Sequence, residues 1–161
     1  MQLDIATENW PTGDWDALAE RAARAVGELD APLANTRLET SILFTTDEEV
    51  HSLNREWRDR DKPTNVLSFP MLARDELLAL TQDGAPIMLG DIALAYETCA
   101  READEKGISI EHHAAHLIVH GLLHCAGYDH AISDQDADEM EALEIAILAK
   151  MGIKDPYEHR D

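Results

Sequence analysis

Hydrophobic and polar positions along this chain change period several times, and each change marks an element. Leu3 to Ala6 alternates weakly and predicts a short first strand. Asp14-Trp15-Asp16 leads into an apolar-periodic run from Ala17 to Leu29, a helix that Asp30-Ala31-Pro32 ends. From Leu38 to Thr45 the period becomes two. Leu38, Thr40, Ile42 and Phe44 alternate there with Glu39, Ser41, Leu43 and Thr45, as in a half-buried strand. Asp47 is the expected cap of a short helix reaching about Trp57. Pro63-Thr64 breaks the chain before Val66-Leu67-Ser68-Phe69, a strand stopped by Pro70.

Residues 71–87 are irregular. Glu76-Leu77-Leu78-Ala79-Leu80 has helical character, but Gln82-Asp83-Gly84-Ala85-Pro86 follows, which predicts a mobile excursion able to act as a lid and not a second domain. Leu89 to Ala95 reads as another strand and Tyr96 to Lys106 as a helix that Gly107 terminates. Ser109 caps a helix continuing to Cys125 before Gly127 stops it, and a last helix fills Asp134 to Met151. Strands and helices mix without strict alternation. The expected fold class is α+β (α/β-like), a single domain over residues 1–161 with one mixed sheet of about four strands and about five helices packed on it.

With 161 residues and 45% hydrophobic content, such a core needs no help from disulfides. Cys99 and Cys125 stand in no Cys-x-x-Cys pair and read as reduced, packed thiols. Met1 to Ile5 lacks the basic start and apolar core of a secretory signal, and no stretch approaches the roughly 18 to 20 apolar residues that span a bilayer. A cytoplasmic protein without a membrane partner is expected. The net charge of −20 argues against a broad nucleic-acid-binding surface. Part of that charge, Asp134, Asp136, Asp138, Glu139, Glu141 and Glu144, reads as the solvated face of the last helix. Arg55, Arg58, Arg60 and Lys62 cluster elsewhere, interleaved with Glu56, Asp59 and Asp61, and leave room for a local cationic site.

The most informative segment runs from His116 to His130. Residues four apart on a helix share a face, roughly 6 Å apart along the axis, so His120 and His124 can direct two imidazoles at one ion. Gly127 can adopt the left-handed conformation that turns the chain back, and His130 is then placed as a third ligand. This His-x-x-x-His-x-x-Gly-x-x-His spacing is that of the metzincin proteases, whose three imidazoles hold zinc and leave one position for water. Those proteases carry a glutamate after the first histidine as general base. Here that residue is Gly121, which transfers no proton, so peptide hydrolysis by their route is disfavoured. His116, one turn upstream, is either an alternative ligand, a residue behind the ligands or a packing residue. Cys125 lies about 100° around the helix from His124 and should not share the metal.

His120-Gly121-Leu122-Leu123-His124 followed by Gly127-Tyr128-Asp129-His130 closely resembles the hallmark of the YbeY family, His-Gly-x-Leu-His-x-x-Gly-Tyr-Asp-His. Two further blocks resemble it as well: Asn54, Arg58 and Asp61 to Pro70, and then Leu89-Gly90-Asp91-Ile92. The likeness spans roughly Leu38 to His130. It implies a metal-dependent, single-strand-specific endoribonuclease using one zinc-like ion, acting with the ribosome in maturation of small-subunit ribosomal RNA and in ribosome quality control. It further implies that His120, His124 and His130 are the metal ligands and that Arg58 lies in the active cleft. A guanidinium there can grip a phosphate in bidentate fashion and stabilise a pentacovalent phosphorus, which lysine does less well.

Without the resemblance, Arg58 reads as a solvated arginine at a helix end. Asn65 and Ser68 are candidate substrate contacts within a stretch that also reads as a capped turn entering a strand. Asp129 reads equally as an acceptor orienting a ligand histidine and as ordinary turn chemistry. Two other functions compete: a zinc hydrolase of peptides or amides, which Gly121 disfavours, and a non-catalytic, metal-stabilised assembly factor whose acidic surface docks on basic ribosomal proteins.

Overall fold

The strand with the clearest alternation becomes the middle of the sheet. In the computed structural model, which describes residues 1–128 and 133–157, β2 (Leu38–Thr45) runs parallel to β1 (Gln2–Thr7) on one side and to β4 (Ile87–Ala95) on the other. β3 (Val66–Pro70) lies antiparallel at the edge beside β4, giving the order β1-β2-β4-β3. Parallel neighbours need a crossover. The first is α1 (Trp15–Leu29), whose N-cap Asp14 accepts a hydrogen bond from the Ala17 N–H at 3.1 Å.

α1 and α5 (Ile110–Cys125) cover one face of the sheet, over the buried Leu38, Ile42 and Phe44, and α6 (Asp134–Lys150) packs on both helices. On the other face, α2 (Asp47–Arg58) sets Val50 against Leu67, Ala93 and Ala95. α4 (Tyr96–Lys106) packs beside α5 and ends at Gly107 in the left-handed conformation, as expected. α5 is apolar on almost every side and runs through the middle of the molecule. Gly121 lets it approach β4, since a Cβ there would stand 3.0–3.3 Å from the Ile92 side chain. The position a metzincin gives to its glutamate is therefore filled by the sheet. Among the described residues no helix is long and apolar enough to cross a membrane.

The structure departs from the sequence reading in three places. Six α-helices are present among the described residues instead of about five, the additional one being α3 (Arg74–Leu78) inside the 71–87 excursion. That excursion is tied down. Arg37 donates to the carbonyls of Thr81 and Ala85 at 3.1 Å each, Leu77 is buried, and Arg74 Nη1 donates to the Ala126 carbonyl at 2.8 Å. Asp47 does not cap its own helix. Thr46 does so through Oγ1, accepting from the Glu49 N–H, while the Asp47 carboxylate accepts from the Thr98 N–H (2.9 Å) and hydroxyl (2.7 Å) and so caps α4 from across the fold. Finally, Glu144 leaves the solvated face: it is 1% exposed.

Candidate active site

Three elements meet at a cleft of about 560 Å³ beside β3. α5 contributes His116, His120 and His124, β3 contributes Ser68, and the end of α2 and the turn after it contribute Arg58 and Arg60. Asn65 and Tyr157 also line it. Arg58, Asn65, Ser68, His116, His120 and His124, scattered over 67 positions of sequence, thus share one cavity. Asp129 and His130 lie outside the described residues.

Local structure explains how each side chain arrives. α2 ends at Asp59, which takes the left-handed conformation at φ 54°, and Asp59 and Arg60 both donate their N–H groups to the Asn54 carbonyl. The buried Asn54 side chain donates to the Lys62 carbonyl at 2.9 Å, and so holds the turn that carries Arg58 and Arg60. The Arg58 guanidinium lies 5.9 Å from the centroid of the Phe69 ring. At the other end of the cleft, Gly127 has φ 99°, where a side chain would be strained and would strike Arg74 at 2.8 Å. That turn closes α5 as expected, with the Gly127 N–H donating to His124 and the Tyr128 N–H to Leu123.

Each histidine on the cleft has a partner behind it. The Ser68 hydroxyl is 2.6 Å from His124 Nδ1. Glu144 Oε1 accepts from His120 Nδ1 at 3.1 Å, while Oε2 accepts from His116 Nε2 and from the Tyr157 hydroxyl, both at 2.8 Å. Burial by itself would push the Glu144 carboxyl up, but the bonds from His116 and His120 outweigh it and hold the pKa at about 2. Glu144 is therefore a buried carboxylate with both oxygens taken, unsuited to act as a general base. His116 Nδ1 is buried without a hydrogen-bond partner, so the ring carries its proton on Nε2, facing Glu144. With Nδ1 of His120 and of His124 committed to these partners, Nε2 is the atom through which either ring could hold a metal. Among the described residues no three His, Cys, Asp or Glu side chains are placed to hold one metal ion together.

Glu144 and Tyr157 were missed by the sequence reading. The available signal for Glu144 was its phase, because Met140, Glu144, Ile147 and Leu148 form the buried stripe of α6. A carboxylate in that register needs a partner. Asn65 donates its amide to Glu102 at 2.9 Å, and the same carboxylate oxygen receives His113 Nε2 at 2.8 Å. Cys125 turns away from the cleft, its Sγ beside Gly90, and burial pushes both thiols up to about 12.

The Glu102–His113 pair makes stability sensitive to acid. Burial holds His113 below its ordinary value of 6.5, and its Nδ1 is buried without a partner, so the neutral ring is the folded form. Glu102 is held below its ordinary 4.5, since the bonds from His113 and Asn65 outweigh its partial burial. The unfolded chain takes up a proton at His113 more readily than the folded chain. Stability is accordingly expected to fall as the pH drops through 6.5 towards the lower folded value, and again below 4.5 as Glu102 is protonated. Urea unfolding of chelated protein between about pH 7.5 and 5.5 checks this, with His113→Gln expected to flatten the first loss. A variant as acid-sensitive as the parent would show that His113 is not responsible.

A basic turn and helix-borne histidines on one cleft, set on an α+β scaffold, define a hydrolase-type site for an anionic substrate. The family model described as Endoribonuclease YbeY matches residues 4–152. An Endoribonuclease YbeY from Erythrobacter litoralis is 68% identical over 160 residues, covering 99% of each chain. One from Novosphingobium aromaticivorans is 56% identical over 162 residues, covering all of this chain and 97% of its own. The chain belongs to the endoribonuclease YbeY family. The solution structure of a Thermotoga maritima protein shares the fold at a TM-score of 0.59 and 21% identity, over 94% of this chain and 92% of that one.

Proposed function

We propose that this protein is a metal-dependent, single-strand-specific endoribonuclease of the cytoplasm that acts in maturation of the small-subunit ribosomal RNA 3′ end and in ribosome quality control. Family membership supports the reaction class, and one observation carries the chemistry. His120 and His124 line the cleft of Arg58 with Nδ1 of each ring held by a partner of its own, Glu144 and Ser68.

That arrangement fits a metal. Ligating histidines nearly always have the second ring nitrogen hydrogen-bonded from behind, which fixes the tautomer and raises the basicity of the other. His120 and His124, with His130 completing the set, would hold one ion, and an all-imidazole donor set suits Zn2+ among the first-row metals. Such an ion supplies a water of lowered pKa and Lewis-acid polarisation of the phosphoryl oxygen.

The chain's own residues do the rest. Arg58 receives the scissile phosphate and stabilises the charge that builds on its oxygens, with Phe69 beneath the guanidinium limiting its swing. Ser68 and Glu144 keep the rings in register, and Asn65, on the same wall, meets the strand. Glu144 has no proton to exchange in this cycle, since protonating it would release its three donors. RNA and the ribosome are the partners of this reading. The cationic groups are local on a chain of net charge −20, so free RNA is bound weakly and a protein surface on the ribosome assists.

His124→Ala tests the assignment. Metal content measured by mass spectrometry should fall from one ion per chain to a small fraction, and cleavage of single-stranded RNA should vanish with it. A metal-free variant of full activity would refute the reading.

A further inference from the structure

A second cavity of about 460 Å³ adjoins the catalytic cleft, and His116 and Tyr157 line both. Tyr157 forms the partition, its ring edge-on to His116 with centroids 5.4 Å apart and its hydroxyl on Glu144. The far side is built from Ile108, Ile153 and Pro156, all half-buried, and Lys106 and Lys154 stand exposed at the rim. His112 and Asp155 also line it, with one Asp155 carboxylate oxygen accepting the Tyr157 N–H at 2.7 Å.

Two features name the occupant. Apolar walls with cations at the mouth fit a nucleobase whose flanking phosphates stay at the surface. The cations are also unevenly placed: of thirteen Lys and Arg on a chain of net charge −20, Arg58 and Arg60 line one cavity while Lys106 and Lys154 line its neighbour. Among the described residues neither lysine is held in an ion pair. We infer that the second cavity is a nucleotide subsite, in which the single-stranded RNA leaving the catalytic cleft past Tyr157 seats its base against Ile108, Ile153 and Pro156 and its phosphates on Lys106 and Lys154. This subsite rests on the nuclease reading and extends it, because it gives the enzyme a preference for strands long enough to reach both cavities.

The test compares kcat/KM of the metal-loaded enzyme on a tetranucleotide and a dodecanucleotide over a range of salt, for the parent and for Lys106→Gln combined with Lys154→Gln. The parent should prefer the longer strand by about tenfold, and the double variant should lose that preference. Its salt slope on the longer strand, log kcat/KM against log salt, should become shallower by about 1.4, or 0.7 for each of two lost phosphate contacts. Lys150→Gln, whose lysine pairs with Glu28 at 3.8 Å on another face, should behave as the parent. A dodecanucleotide carrying 4-thiouridine should crosslink within Ile153 to Tyr157. An unchanged preference and slope in the double variant, an equal loss on both lengths, or crosslinks confined to other segments would overturn the subsite and leave the nuclease reading standing. A parent that cleaves neither strand would overturn both.

Discussion

Arg58→Ala is expected to lower RNA cleavage on the order of 10²–10³-fold while the metal stays in place. The guanidinium is exposed and reaches the cleft from the end of α2, 5.9 Å from the centroid of the Phe69 ring. Removing it should leave the ring geometry of His120 and His124 untouched, since Ser68 and Glu144 hold those rings from other elements. On the proposed mechanism a donor pair aimed at charge that develops in the transition state disappears, so the loss should fall on kcat more than on KM. Arg58→Lys should recover part of the rate, because an ammonium keeps the charge and loses the bidentate geometry. Metal analysis, kcat and KM on single-stranded RNA, and a thermal melt on one preparation decide the matter. A variant that loses its metal, or that cleaves at the parent rate, removes Arg58 from the mechanism.

Glu144→Ala should be the most damaging single change away from the proposed ligands. The carboxylate is 1% exposed and accepts from His116, His120 and the Tyr157 hydroxyl, so its removal takes the acceptor from three donors, of which that of His116 is buried. Leaving a buried donor unpaired typically costs about 1–3 kcal/mol, a large part of the stability of a marginally stable domain. Glu144→Gln separates the structural role from the chemical one. It keeps the volume and one acceptor but points an amide N–H₂ at groups that must donate, so His120 loses its fixed tautomer and metal affinity should drop about 10–100-fold. Competition with a chromophoric chelator reads the affinity, and urea unfolding of metal-free protein reads the stability. Parental metal affinity in a folded Glu144→Gln protein would show that the carboxylate serves packing alone.

The parts of this molecule that were legible in the chain are those whose signal is local. Alternation over Leu38 to Thr45 placed the middle strand, and Ser109 and Gly127 bracketed α5 because capping and left-handed turns are decided by a few adjacent residues. The four-residue step between His120 and His124 put both rings on one helix face for the same reason. Errors arose where a side chain answers to a distant partner. Asp47 looked like the cap of the helix it begins, yet its carboxylate serves Thr98, 51 positions away. The hydroxyl of Ser68, a candidate substrate contact, also has a distant partner that no local signal marks, His124, 56 positions away.

Glu144 is the clearest case. Its neighbours Asp134, Asp136, Asp138, Glu139 and Glu141 made it one more charge on an acidic helix, and composition carries no hint that α6 would turn this one carboxylate inward. The decision belongs to packing: α6 must bury Met140, Ile147 and Leu148 against α1 and α5, and the same rotation brings Glu144 over His116 and His120, 28 and 24 residues back along the chain. The sequence by itself determined all the strands and α-helices but α3, the helical histidine pair and the family, because periodicity, capping and motif spacing are properties of neighbouring residues. Only the tertiary structure decided which carboxylate stands behind the histidines, which hydroxyl pins His124 and where the cations line up, because those depend on how helices rotate to hide apolar surface.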